Sequence, residues 1–210
     1  MPVSGAVTSL VISWSAAPII FLVTNSSVLS EPLLLLVIGF LLIAAYIAVF
    51  IFLLPTSAVQ PSDELIEGRG FLYYSCCLFM WGSVTSQMLL AGRLQIFGDY
   101  QNTKYYSQGE PYLATPYGAA AEIWNGTINY VICFLIIYKI DNGRDSRNVA
   151  LYWSGATVTG QFVLFVGALT GSFSGSLQPS VWINLVFLVL PLVVIFKFLI
   201  KPRIDVEVEM

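Results

Sequence analysis

The residues with chemistry to offer in this 210-residue chain are few, and they are spaced for helices. Gly118, Glu122, Asn125 and Asn129 recur at i, i+3 and i+4 and share one helical face, while Trp124, Ile128, Val131 and Ile132 fall elsewhere. Glu122 is the one carboxylate that must sit inside an otherwise apolar segment. A charged side chain at the middle of a bilayer costs roughly 2.5–3.5 kcal/mol on insertion scales, so the stripe is expected to face a bundle interior or a cavity. Glu122 is then buried; the competing placement is an interfacial Glu hydrated by headgroups. Ser83 and Gln87, one turn apart, and Asn184 add further polar groups inside apolar runs. Such groups either bridge neighbouring membrane helices, for roughly 0.6 kcal/mol each, or hold the polar part of a ligand within apolar walls. His is absent, which removes the commonest acid/base group and the commonest metal ligand together. Cys76, Cys77 and Cys133 lie in apolar runs and read as small buried hydrophobes, so neither a disulfide framework nor a zinc site is expected. No metal and no cofactor is implied.

The elements that must position these groups follow from composition. With 57% hydrophobic and 10% charged residues, and mean hydropathy +0.80, the chain is far from the about 25% charged usage of soluble domains. It reads as an integral membrane protein. A net charge of -3 with only 9 Lys and Arg leaves no basic patch for nucleic acid. The expected fold is all-α and polytopic, with six transmembrane helices at about 4–23, 32–54, 71–91, 116–138, 149–170 and 181–200. The first run lacks a positive leading region and a small-residue cleavage site, so it reads as a membrane helix rather than a signal peptide. Residues 1–54 form a two-helix hairpin, 55–70 a polar connector, 71–200 a four-helix unit and 201–210 a charged tail. Thr115 and Pro116 read as the N-cap and first position of the fourth helix. Ala156 with Gly160, and Gly167 with Gly171, are small residues four apart and predict close helix packing on the fifth. Tyr100, Tyr105, Tyr106 and Tyr112 look like rings at a membrane interface.

Gly109 to Leu113 (GEPYL), then Trp124 to Tyr130 (WNGTINY), resemble the transmembrane six superfamily. Arg147-Asn148 followed by Leu151-Tyr152-Trp153 and Gly155 resembles that family's start to its next helix. The resemblance implies kinship with the wider EXPERA group, which includes the emopamil-binding sterol isomerases and sigma-2 receptor type proteins. It implies a four-helix EXPERA bundle around a lipid or sterol pocket at about 70–200, following the hairpin. It also places Asn184 seven residues before Pro191 where the isomerases carry an Asn, with Phe187 in place of their Trp. Ser83 falls near their His, and Asn125 at the Glu of their second bundle helix. Members of the superfamily have a doubled arrangement with more than six helices.

The departure from the isomerases matters chemically. A double-bond shift needs a proton donor and a base that titrate near working pH. Asn125, Ser83 and Gln87 do not, and Glu122 alone would have to do both jobs. The expected function is therefore a non-catalytic sterol- or lipid-binding membrane protein of lipid homeostasis, with a site formed by Ser83, Gln87, Glu122, Asn125, Asn129, Asn184 and Phe187. The alternatives are a sterol isomerase-like enzyme and a small transporter or channel lined by the polar stripe. Partners are a sterol or other lipid and the surrounding membrane lipids; association into a homo-oligomer stays open. The expected location is the endoplasmic reticulum or another endomembrane. Given six spans, Arg69, Lys139, Arg144, Arg147, Lys197, Lys201 and Arg203 fall on the side of both termini, against Arg93 and Lys104 on the other. Seven against two predicts cytosolic termini. Protease added to sealed microsomes is expected to remove tags from both ends; digestion at one end alone would mean that one of the six runs does not span.

Overall fold

The computed structural model describes residues 5–24, 26, 31–54, 66–93, 111–171, 175 and 179–200. Every element among them is helical. Four stretches are long and apolar enough to cross a membrane: Gly5–Val23, Leu33–Leu53, Pro116–Asp141 and Arg147–Thr170. A shorter apolar one covers Val181–Lys197. The described residues thus form a polytopic, all-helical membrane protein. Of the connector expected at 55–70, residues 55–65 lie outside the described residues, as do the tail at 201–210 and Tyr100, Tyr105 and Tyr106, while 66–70 are the start of the helix Ile66–Arg93.

The first expected helix is two. α1 (Gly5–Trp14) and α2 (Ala16–Thr24) meet at Ser15. Pro18 is the reason: its ring nitrogen has no proton to give to the Trp14 carbonyl one turn back. The Ser15 hydroxyl instead bonds the Ile12 carbonyl and meets the Tyr46 hydroxyl of α3 (Pro32–Leu53), both at 2.5 Å. α1 docks through small side chains, with Ala6, Ser9 and Ser13 buried at i, i+3 and i+7. Ser9 Oγ lies 3.4 Å from Cys77 Sγ of α4 (Ile66–Arg93), and Ser13 Oγ lies 3.0 Å from the Tyr130 hydroxyl. The first turn of α1 is capped from a distance, the Ala6 N–H donating to Asp141 Oδ2 at 2.5 Å.

α4 is the centre. Leu72, Cys76, Cys77, Met80 and Val84 are at 0% exposure, and α1, α2, α3, the segments between Pro116 and Asp141 and the last helix, Asn184–Ile200, pack on it. Ser75 and Ser83 of α4 are buried too, so these polar groups lie against protein inside the bundle. Ala16, Ile43, Tyr46 and Phe50 of the first three helices share one core with Cys76, Trp81, Ile136 and Trp153.

The fourth run also divides. α5 (Pro116–Trp124) passes through a wide five-residue π turn (Asn125–Asn129) into α6 (Tyr130–Asp141). Gly143, at φ 65, closes the turn into α7 (Arg147–Thr170). A 3-10 turn (Pro179–Ile183) precedes α8 (Asn184–Ile200), so the last helix starts later than the hydropathy suggests. The two small-residue pairs on α7 behave differently: Gly160 is exposed and a Cβ there would meet nothing within 4 Å, whereas a Cβ at Gly167 would touch the Tyr117 ring at 3.8 Å; a further small-residue packing face is on α1. Hydropathy marks both faces as apolar and cannot say which one meets a helix.

Gly118 does mark a close approach, since a Cβ there would fall on the Leu113 backbone, which cannot rotate away. Gly118→Ala is expected to destabilise the protein by about 1–3 kcal/mol through overpacking, and Gly155→Ala, with nothing within 4 Å, to leave it unchanged or stabilise it by up to about 1 kcal/mol through helix propensity. Reversible unfolding of both variants in one detergent checks this; equal behaviour would remove the claim for Gly118.

Candidate functional site

The site is assembled around the irregular start of the fourth run. A 3-10 turn (Pro111–Ala114) carries Tyr112, whose carbonyl accepts from the Thr115 hydroxyl at 2.7 Å. Thr115 Oγ1 in turn accepts from the Gly118 N–H at 3.0 Å, which makes it the N-cap of α5, with Pro116 in the first turn. Fixed in this way, α5 turns Glu122 inward, where it is only 3% exposed. That burial keeps the Glu122 side chain from the hydration by headgroups that an interfacial placement would give it.

The π turn rests on two amides. Gln87 Nε2 of α4 donates to the Gly126 carbonyl at 2.6 Å, while the Tyr130 N–H turns to Thr127 rather than to Gly126. Gly126 has to be small, because a Cβ there would press on Gln87 at 3.1 Å. Asn129, 1% exposed, accepts from the Trp153 indole N–H of α7 at 2.8 Å and donates to Ser83 Oγ of α4 at 3.5 Å. The Cys133 thiol also donates to Asn129 Oδ1, at 3.8 Å. One buried amide therefore joins α4, the π turn and α7. Such a wide turn is rare in helices and is often found at functional positions.

These elements enclose a cavity of about 200 Å³. Ser83, Glu122, Asn125, Asn129, Asn184 and Phe187 all line it. Gln87 does not; its amide is used on the Gly126 carbonyl, and the one-turn spacing from Ser83 turned out to serve a helix contact. Asn184 Nδ2, at the first position of α8, donates to the Tyr112 hydroxyl at 3.2 Å. Phe187 stands edge-on to Phe79 at 5.1 Å, and Phe79 edge-on to Trp153 at 5.0 Å, giving one wall of aromatic rings. Ile20 and Val23 of α2 with Leu35, Ile38 and Leu42 of α3 supply an apolar wall.

Four residues were missed. Tyr112 lines the cavity rather than the membrane interface, and Trp81, Gln161 and the buried Trp153 had no role assigned. Gln161 was legible: Ser154, Thr157 and Gln161 repeat at i, i+3 and i+7 on the fifth run, as the fourth run's stripe does, and all three are buried. For Trp153 the signal was weaker, a large indole whose N–H needs a partner wherever it is buried.

Fold and site together define a polytopic helical membrane protein with an internal cavity that holds one carboxylate, several amides and hydroxyls, and no lysine or arginine among its described lining residues. Residues 15–208 match the family described as Transmembrane 6 superfamily member 2-like, transmembrane domain, and the chain belongs to it. It is 25% identical over 207 residues to Transmembrane 6 superfamily member 2 of Homo sapiens, covering 96% of this chain and 50% of that protein. The Mus musculus protein of the same name is 24% identical over 198 residues, 90% of this chain and 47% of the relative. The chain therefore spans about half the length of the curated relatives it matches. No solved structure matches it.

The Asn129 amide gives a direct test. Asn129→Leu leaves the Trp153 N–H buried without its acceptor and is expected to cost about 1–3 kcal/mol, of which the double variant with Trp153→Phe recovers a part. A double-mutant cycle on unfolding free energy reads the coupling; additive effects would mean that the 2.8 Å contact contributes nothing.

Proposed function

We propose that the protein holds a sterol or a similar lipid in this cavity, without chemical turnover, as a lipid-homeostasis protein of the endoplasmic reticulum or another endomembrane, with both termini cytosolic. The observation that carries the reading is the cavity's make-up. Neutral hydrogen-bonding groups, Asn125, Asn184 and Gln161, are set among aromatic and aliphatic walls, which is the usual constitution of a small-molecule site. A volume of about 200 Å³ falls below the roughly 300–1,000 Å³ of pockets that swallow a whole drug-sized ligand. The cavity by itself therefore takes the polar end of a lipid and the first part of its apolar body.

Glu122 supports a second reading, a sterol isomerase-like enzyme, because a buried carboxylate beside the ligand is where an acid would act. Against it stands the chemistry of the other polar lining residues: Ser83, Asn125 and Asn129 neither give up nor take up a proton near neutral pH, and the Tyr112 hydroxyl is already held by Asn184. Asn129 is moreover committed to Trp153 and Ser83.

Asn184→Leu is expected to weaken sterol binding by about 1–3 kcal/mol, the cost of a buried ligand polar group left without a partner. Equilibrium binding of a labelled sterol to wild type and variant in detergent reads this, and unchanged affinity would place the ligand elsewhere. Product analysis after long incubation with a ring-alkene sterol separates the readings: repeated turnover by the wild type would overturn the non-catalytic one and point to Glu122 as the acid.

A further inference from the structure

α7 carries two kinds of polar side chain. Its outward hydroxyls satisfy themselves on their own helix: Thr159 Oγ1 donates to the Gly155 carbonyl at 2.9 Å, and Thr170 Oγ1 to Val166 at 2.6 Å. Its inward ones do not. Ser154 Oγ, Thr157 Oγ1 and Gln161 Oε1 are sealed from solvent and have no hydrogen-bond partner among the described residues. Buried polar atoms are normally paired, and serines and threonines in membrane helices have the i−4 carbonyl within easy reach. A buried acceptor left open against a cavity calls for a donor on whatever the cavity receives.

Gln161 is the member of this set that reaches the cavity. It lines the wall and is 7% exposed, and its open atom is a carbonyl oxygen, which can only accept. Trp81 lines the cavity as well, and its Nε1 is a buried donor with no partner among the described residues. Among the described lining residues there is no lysine or arginine to balance an anionic headgroup. A phosphate or carboxylate therefore fits poorly, and an ester or ether could take the Trp81 N–H but would leave Gln161 Oε1 without a donor.

We infer that Gln161 is a ligand-contacting residue that selects lipids bearing a free hydroxyl, the hydroxyl proton going to Gln161 Oε1. This rests on the lipid-binding reading above and narrows it to neutral alcohols. A sterol and a long-chain fatty alcohol share that chemistry, and the apolar body decides between them.

The test uses the full chain in detergent and two probe pairs, cholesterol with its methyl ether and a long-chain alcohol with its methyl ether. Each ether keeps the acceptor oxygen and loses only the donor. Wild type is expected to bind the free alcohol of at least one pair about tenfold more tightly than the ether, the scale of one hydrogen bond to a buried acceptor. Gln161→Met keeps the side-chain length and is expected to erase that ratio by weakening the alcohol alone. Gln161→Glu keeps an acceptor and is expected to retain the ratio, which holds the proposal open to refutation should the Met variant not fold. Preference in the sterol pair alone names the sterol as the source, and preference in the other pair alone names the acyl alcohol. Equal binding of alcohol and ether by wild type, or an undiminished ratio in Gln161→Met, overturns the inference while leaving lipid binding in place. Binding of none of the four probes overturns the lipid-binding reading itself.

Discussion

The arrangement depends on one buried amide. Asn129 takes the Trp153 N–H on its oxygen and gives its own N–H to Ser83, so three segments far apart in sequence are fixed at one point inside an apolar bundle. In such surroundings each of these polar groups would be costly alone, and together they are satisfied. Apolar packing between membrane helices is forgiving of rotation and slide, because lipid tails are as apolar as leucine. A directional contact is not. It sets how α4, the π turn and α7 face one another, and with them the shape of the cavity.

The π turn is the local consequence. A regular helix from Pro116 to Asp141 would leave no carbonyl for Gln87 to reach. The wide turn frees the Gly126 carbonyl, and Gln87 satisfies it from α4. The irregularity is thus held by neighbours rather than by its own backbone, as expected where non-helical backbone at membrane depth must be buried in protein. It separates two jobs along one stripe. Glu122 and Asn125, at and before the turn, line the cavity, and Asn129, at its end, builds the scaffold as well as lining it.

The first two runs contribute more than a membrane anchor. α1 presses small side chains against α4 and α6, and α2 and α3 supply an apolar wall of the cavity. The first runs line the cavity with apolar side chains, while its polar groups come from the later segments, which also add Phe79, Leu164 and Phe187.

Composition and periodicity alone determined the class, because 57% hydrophobic residues and so few charges leave no other solvent than lipid for these helices. They also determined the cap at Thr115, the inward face of Glu122 and Asn129, and the buried cysteines, since each follows from local chemistry or from the cost of a polar group in hydrocarbon. The family motifs placed Asn184, Asn125 and Phe187, which now line one cavity. Only the tertiary structure decided what Gln87 does, that Gln161 and Trp81 reach the cavity, and that α1 carries a small packing face. The physical reason is the same in each case. A side chain's period shows which face it shares, but when every face is apolar enough for lipid, only the neighbouring helices determine whether that face meets protein, a cavity or the bilayer.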